Sequence, residues 1–148
     1  MPNTIPYPDE LIIRIFKESK KLAMVGLASA PDRPAHRVST FAQSHGYTII
    51  PVHPAETEVL GEKAYPDLKA IPFPVDIVDV FRRIEFMPEH VDEAIAIGAK
   101  VVWMQENLID LEAAAKAEAA GLTVIMDRCL HCELNRLIAS GDLPDQHA

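Results

Sequence analysis

The 148-residue chain has few cysteines and no long apolar run, and each shortage removes a class of protein. Its two cysteines, Cys129 and Cys132, lie close together near the C-terminus, which fits a reducing compartment. No apolar run approaches the ~20 residues that a membrane-spanning helix needs. The N-terminal stretch carries Asp9 and Glu10, whereas a secretory signal is basic and then apolar. We therefore expect a cytoplasmic protein.

Positive charge is also in deficit. The chain has 14 Lys and Arg against 22 Asp and Glu, which gives a net charge of −8. This balance argues against broad contact with nucleic acid or with an anionic membrane surface. Any site for an anion must therefore be local. A chain of this length buries roughly 70% of its unfolded surface, so we expect one domain that needs no disulfide or metal for stability.

Apolar strand-like segments alternate with helical ones along the whole chain. The strands are short, β-branched and almost continuously apolar, which is typical of a parallel sheet covered on both faces. The pattern predicts an α/β, doubly wound sheet in three α/β/α layers, with a single domain at 1–140, an N-terminal helix within 1–19 and a polar tail at 141–148. The expected strands are Leu22–Val25, Tyr47–Val52, Val75–Phe81, Lys100–Gln105 and Leu122–Asp127, with a short edge strand near Ala64 and Tyr65.

The stretch Lys21–Val38 reads as strand, loop and helix, and the rest of the chain is organised around it. The first strand stops at Gly26, where a chain without a side chain can approach a ligand closely. The following helix begins near Pro34 and offers free N–H groups with the positive end of its dipole, which suits an anion. A tight turn would look the same, since a dinucleotide-binding loop has three glycines where this one has a single glycine.

Parallel strands end at one edge of their sheet, so the loops that follow them should converge there. Five cations fall in or near these loops. We expect them to create a local positive field that suits phosphates. They are Arg33, Lys63, Arg82, Arg83 and Arg128.

Six segments, in this order and spacing, resemble the small bacterial and archaeal CoA-binding proteins that consist of a Rossmann-like domain similar to that of the succinyl-CoA synthetase α-subunit. The segments are VGLASAPDRPAHRV, PVHP, GEKAYPDL, VDIVDVFRR, AIAIGAKVVWMQ and MDRC, within roughly residues 20–138. The resemblance implies a sheet of order 3-2-1-4-5, with a further edge strand possible, and a ligand lying across the switch point. It implies contacts to coenzyme A, or an acyl-CoA, from the loops after the strands that end at Val25, Val52, Phe81 and Gln105. Lys63 is added for its charge. The candidate residues are Gly26, Leu27, Ala28, Ser29, Arg33, Val52, His53, Pro54, Lys63, Phe81, Arg82 and Gln105.

The sequence favours a binding protein, non-catalytic or regulatory, over an enzyme. A CoA ligase needs a phosphohistidine domain and an ATP-binding domain, for which 148 residues leave no room. The alternatives are an NAD(P)-binding protein or reductase component, and an interaction module with a vestigial nucleotide pocket that dimerises through the N-terminal helix. A homodimer or a partner enzyme is compatible with each of these. We expect no catalytic residues in the chain.

Two further features could suggest chemistry. Cys129 and Cys132 form a C-x-x-C at the start of a helix, but too little chain follows for a thioredoxin-like fold, and His131 is too near in sequence to complete a zinc site. We therefore expect reduced cysteines and no metal. Asp79 lies in an apolar strand, where a carboxylate is expected to pair with an arginine or with backbone amides rather than to act as an acid or base.

Overall fold

The computed structural model describes residues 5–144, which form one five-stranded parallel sheet with helices on both faces. The sheet order is β2-β1-β5-β6-β7, and a separate two-stranded hairpin is formed by β3 and β4. The strands are β1 Lys21–Val25, β2 Thr48–Val52, β3 Glu58–Val59, β4 Glu62–Lys63, β5 Ile77–Val80, β6 Val101–Met104 and β7 Thr123–Ile125. The helices are α1 Asp9–Glu18, α2 Pro34–Ser44, α3 Met87–Ala96, α4 Leu111–Ala119 and α5 Leu130–Ala139.

Alternate residues of the strands feed two separate cores. On one face, strand residues such as Val78 and Val102 pack with the apolar sides of α3 and α4. On the other face, strand residues such as Leu22 and Trp103 pack with α1, α2 and α5. The predicted three-layer, doubly wound α/β fold is therefore confirmed.

The register of the sheet brings the carboxyl ends of its strands to one level. Val25 pairs with Val52 on one side and with Val80 on the other, and Val80 pairs with Met104. The loops after β1, β2, β5 and β6 consequently leave the sheet at the same edge, as predicted. All candidate residues except Lys63 lie at the ends of these strands or in these loops.

The chain after β2 differs from its prediction. The expected edge strand near Ala64 and Tyr65 is a single parallel bridge between Tyr65 and Val52, and it follows a short hairpin that sequence reasoning did not identify. If this bridge is counted as the third strand, the sheet order becomes 3-2-1-4-5-6. That is the implied order, with β7 as the further edge strand.

The start of helix α4 and the C-terminal segment show what local signals can decide. Helix α4 is capped by Asp110, whose carboxylate accepts the Ala113 N–H at 3.0 Å, while Asn107 adopts a left-handed conformation in the preceding turn. Leu143 is buried and its N–H donates to the carbonyl of Leu137, so the segment from 141 to 144 packs on the domain instead of fraying. Residues 145–148 of the expected polar tail, and 1–4, lie outside the described residues.

Helix α1 buries its apolar face in the domain. Ile12 and Phe16 are fully buried, and the Phe16 ring lies 5.6 Å from that of Trp103, measured between centroids. The apolar face of α1 thus packs on the protein's own core. No helix within residues 5–144 has both the length and the apolar character needed to cross a membrane.

Candidate functional site

Three loops meet at Gly26, directly after β1. Gly26 has φ +98°, and its N–H donates to the carbonyl of Val52 at 2.9 Å. A Cβ at this position would lie 3.3 Å from Cδ of Arg82 and 3.4 Å from the carbonyl oxygen of Phe81. Only glycine combines this backbone conformation with so close an approach, so the loop after β1 lies against the loops after β2 and β5.

A cavity of about 300 Å³ opens above this junction, and we call it the first cleft. Helix α2 begins there with Pro34 at its first position, and its N-cap residue Arg33 provides no side-chain hydrogen bond. The positive end of the α2 dipole therefore lies at this cleft without a capping side chain. The lining residues are Gly26, Ala28, Arg33, Pro34, Ala35, His53 and Phe81.

A second cleft of about 360 Å³ adjoins the first, because Pro34 and Phe81 line both. The two clefts extend from the loop after β2, across the central switch point between β1 and β5, to the loop after β6. An elongated ligand lying across the switch point would occupy both. The second cleft is lined by Pro34, Phe81, Arg82, Arg83, Gln105, Glu106 and Leu108.

Two of the five expected cations remain available to a ligand. Arg33 is exposed, Arg82 stacks on the ring of Phe86 at 4.7 Å, and neither has an ion-pair partner among residues 5–144. Arg83 also lines the second cleft, but its guanidinium is 2.8 Å from the carboxylate of Glu85. The positive field is therefore smaller than expected and centres on Arg33 and Arg82.

The other two cations serve elsewhere. Arg128 is buried, pairs with Glu133 at 2.9 Å and donates to the carbonyl of Ile5 at 2.7 Å, so it does not contribute to the positive field as expected. Lys63 lines a separate cleft along the outer edge of β2, with its Nζ 5.3 Å from the centre of the Tyr65 ring. Neither lines the two adjoining clefts.

The side chains of the remaining candidate residues lie in the core, in solvent or in hydrogen bonds within the protein. The side chains of Leu27 and Val52 are buried in the core, and Pro54 is exposed outside both clefts. Nδ1 of His53 accepts the Ala55 N–H at 3.0 Å, which orients the ring in the first cleft. Oε1 of Gln105 accepts the Leu130 N–H at 3.3 Å and ties the loop after β6 to α5.

Glu56 is a residue that sequence reasoning missed. Its Oε2 accepts the Ser29 N–H at 3.0 Å and the Ser29 hydroxyl at 3.2 Å. A carboxylate thus occupies donors that the first loop would otherwise offer to a phosphate. The one signal in the sequence was an acid in the loop after the second strand. That this loop contacts the loop after β1 is visible only in the fold.

Asp79 lies in the centre of β5, and its expected pairing is wrong. Its neighbours across the sheet are Met24 and Trp103, and neither carboxyl oxygen has a hydrogen-bond partner within residues 5–144. Complete burial raises the pKa of Asp79 well above its usual range. Burial therefore favours the neutral form of this carboxyl, which lies in the core away from both clefts.

The two cysteines lie at the start of α5 as free thiols. Cys129 is the N-cap residue, and its sulfur accepts the Cys132 N–H at 3.2 Å. Burial, and then the neighbouring Cys132 thiol, raise the pKa of Cys129 to about 12. Cys129 is thus a poor nucleophile in this state.

Sequence comparison adds the decisive observation to this geometry. A family model described as "CoA binding domain" matches residues 20–135, which include every residue lining the two clefts. The chain belongs to this family. Among curated proteins, the chain is 46% identical over 119 residues to "Uncharacterized protein YneT" of Bacillus subtilis (strain 168), with 80% of this chain and 88% of YneT covered.

Solved structures support the same fold. A hypothetical protein from Pyrococcus horikoshii OT3 is 41% identical, with a TM-score of 0.87 and with 93% of this chain and 99% of that chain covered. The dinucleotide forming acetyl-coenzyme A synthetase 1 of Ca. Korarchaeum cryptofilum is 21% identical, with a TM-score of 0.67 and with 76% of this chain and 27% of that chain covered. At that identity the likeness concerns the fold alone.

Proposed function

We propose that this protein binds coenzyme A, free or as an acyl-CoA, in the two adjoining clefts and acts as a non-catalytic or regulatory CoA-binding protein of the cytoplasm. The observation that carries the proposal is that two clefts in a CoA binding domain adjoin across the switch point of the sheet.

The charges of the clefts support a ligand with several phosphates. Arg33 stands at the uncapped start of α2 in the first cleft, and Arg82 stands in the second. CoA carries a 3′-phosphate besides its pyrophosphate, whereas NAD lacks that phosphate. Two available guanidinium groups and a helix N-terminus match the larger number of phosphates.

An NAD(P)-binding protein or reductase component is the alternative, and Glu56 is the observation in its favour. An acid after the second strand hydrogen-bonds the adenosine ribose in dinucleotide-binding proteins. Glu56 approaches the first loop from that region. Both of its contacts to Ser29 use the same carboxylate oxygen, Oε2. A direct comparison of ligands decides between the two functions.

Calorimetric titration of CoA, 3′-dephospho-CoA and NAD tests the proposal. We expect CoA to bind most tightly, and both Arg33→Ala and Arg82→Ala to weaken CoA binding. A hydrogen bond to a charged group is worth roughly 1.5–3 kcal/mol, so each loss should be about one to two orders of magnitude.

Lys63→Ala is the matched control, because Lys63 is also an exposed cation but lines a different cleft. It should leave the affinity for CoA unchanged. Equal affinities for CoA and NAD, or a larger loss in Lys63→Ala than in the two arginine variants, would refute the proposed site.

A further inference from the structure

Three side chains that bind metals well lie together at the start of α5. The sulfurs of Cys129 and Cys132 and a carboxylate oxygen of Glu106 all lie within 4.8 Å of one another. Cys132 and Glu106 are exposed and Cys129 is partly buried, so an ion can reach the group from solvent. Glu106 also lines the second cleft.

We propose that Cys129, Cys132 and Glu106 bind a thiophilic divalent cation, of which Zn²⁺ is the best match. Thiolate and carboxylate are both established zinc ligands, at bond lengths of about 2.3 Å and 2.0–2.2 Å. Ligand atoms around a tetrahedral ion of this size lie about 3.5–4 Å apart, so small side-chain rotations bring the three atoms into place.

The fold holds these ligands together from two directions. Glu106 lies in the loop after β6, and the Gln105 side chain beside it accepts the Leu130 N–H, which fixes that loop against the start of α5. The Cys132 N–H donates to the sulfur of Cys129 and orients it. Contacts of this kind around a metal ligand set its direction and strengthen binding.

His131 and His53, the histidines that could extend this group of ligands, have other contacts. The ring of His131 stacks on Phe41 with 4.0 Å between centroids, and His53 lines the first cleft. Among residues 5–144 the site thus offers three protein ligands, which leaves one position open as in zinc sites that keep a water or a substrate. The expectation of no metal rested on a missing third ligand, and Glu106 provides it from a loop distant in sequence.

A redox role for the two thiols fits the surroundings less well. Reactive cysteines lie in electropositive environments, whereas Glu106 places a negative charge beside Cys129 and Cys132. A divalent cation compensates this charge and the charge of two thiolates. The inference is independent of whether the clefts bind CoA.

Cobalt titration of the reduced, chelator-treated protein tests the site without relying on any activity. We expect thiolate-to-Co²⁺ charge-transfer absorption and the visible bands of a tetrahedral ion, which added Zn²⁺ abolishes. Cys129→Ser and Cys132→Ser should each reduce the charge-transfer absorption, and the double variant should remove it. Serine can accept the same capping N–H as Cys129, so the loss will not reflect unfolding of α5.

Glu106→Gln distinguishes the three-ligand site from a simple dithiol. We expect it to lower the affinity for Zn²⁺ on the order of tenfold or more, since even indirect ligand contacts have effects of that size. Glu112→Gln, which removes an exposed acid from α4, should change nothing. Absence of charge-transfer absorption in the wild type, or unchanged affinity in Glu106→Gln, would overturn the proposal.

Discussion

Asp79 is the residue with the largest expected influence on the pH dependence of stability. Its folded-state pKa is raised, because burial disfavours the charged form, whereas the unfolded chain ionises near pH 4. The folded state therefore holds a proton that the unfolded state releases, and stability falls as pH rises above ~4, by about 1.4 kcal/mol per pH unit until the raised pKa is reached. We expect Asp79→Asn to abolish this decline, measured as the free energy of unfolding by urea from pH 4 to pH 8.

Asp76 provides the control, since its shift has the opposite sign. Partial burial acts to raise the pKa of Asp76, but hydrogen bonds from the Lys21 and Lys20 N–H groups outweigh it and lower the pKa. Its contribution is present above the unfolded pKa and is lost as pH falls, so Asp76→Asn should destabilise the protein most at neutral pH. An Asp79→Asn variant with the wild-type pH profile would contradict the assignment of a neutral buried carboxyl.

A substitution at Gly26 is expected to affect both the stability of the fold and the binding of CoA. We expect Gly26→Ala to destabilise the fold by at least about 1–2 kcal/mol, because an alanine at positive φ is strained. Its Cβ would also press on Arg82 and Phe81, so CoA binding should weaken as well. Urea unfolding and calorimetry measure the two effects.

Gly98→Ala separates strain from contact. Gly98 also has a positive φ, but a Cβ there meets nothing within 4 Å. It should show the backbone cost alone and bind CoA normally. If the two variants behave alike in both measurements, the close approach of the loops at Gly26 has no functional consequence.

Some individual residues were predictable and others were not, for a physical reason. Gly26 was singled out because a glycine that ends an apolar strand lets the backbone approach a neighbouring group closely. Two outcomes depend on which groups the neighbouring elements bring close. They are the lack of a hydrogen-bond partner for the Asp79 carboxyl within residues 5–144 and the pairing of Arg128 with Glu133. That information is tertiary and has no local signal in the sequence.

At the scale of elements, the loop after β2 changes what the first loop can offer to a ligand. It carries Glu56, whose carboxylate occupies the Ser29 N–H and hydroxyl and adds negative charge to the first loop. We expect Glu56→Ala to increase the affinity for CoA severalfold, since exposed charge interactions are worth up to ~1 kcal/mol. Calorimetric titration of CoA measures this change.

Glu58→Ala is the matched control, because it removes an exposed acid of the same loop region. It should leave the affinity for CoA near that of the wild type. A loss of CoA affinity in Glu56→Ala would instead show that the carboxylate contacts the ligand, as an acid on an adenosine ribose does.

Elements with strong periodicity were predicted almost to their bounds, and the irregular segment between β2 and β5 was not. Most of the predicted strands extend one or two residues beyond the observed ones at one or both ends. Between residues 53 and 74, the expected edge strand is replaced by a hairpin whose two strands have two residues each and by one bridge. Segments this short have no periodicity to detect, which is why Lys63 was expected near the clefts and lies elsewhere.

At the scale of the whole molecule, topology follows from the sequence more securely than the site does. Alternating apolar strands and amphipathic helices allow few arrangements, and right-handed crossovers select the doubly wound sheet. The parallel register then places the loops at one edge. Which side chains line the clefts depends on loop geometry, so Arg33, His53 and Arg82 met there as expected while Leu27 turned into the core.

The proposed function requires that this domain select CoA over dinucleotides. Native mass spectrometry of the wild-type protein with equimolar CoA, NAD and NADP tests it most directly, because the three ligands compete for the same sites under one condition and each complex has its own mass. We expect the complex with CoA to dominate the spectrum. A spectrum dominated by a dinucleotide complex, or one without a CoA complex, would contradict it.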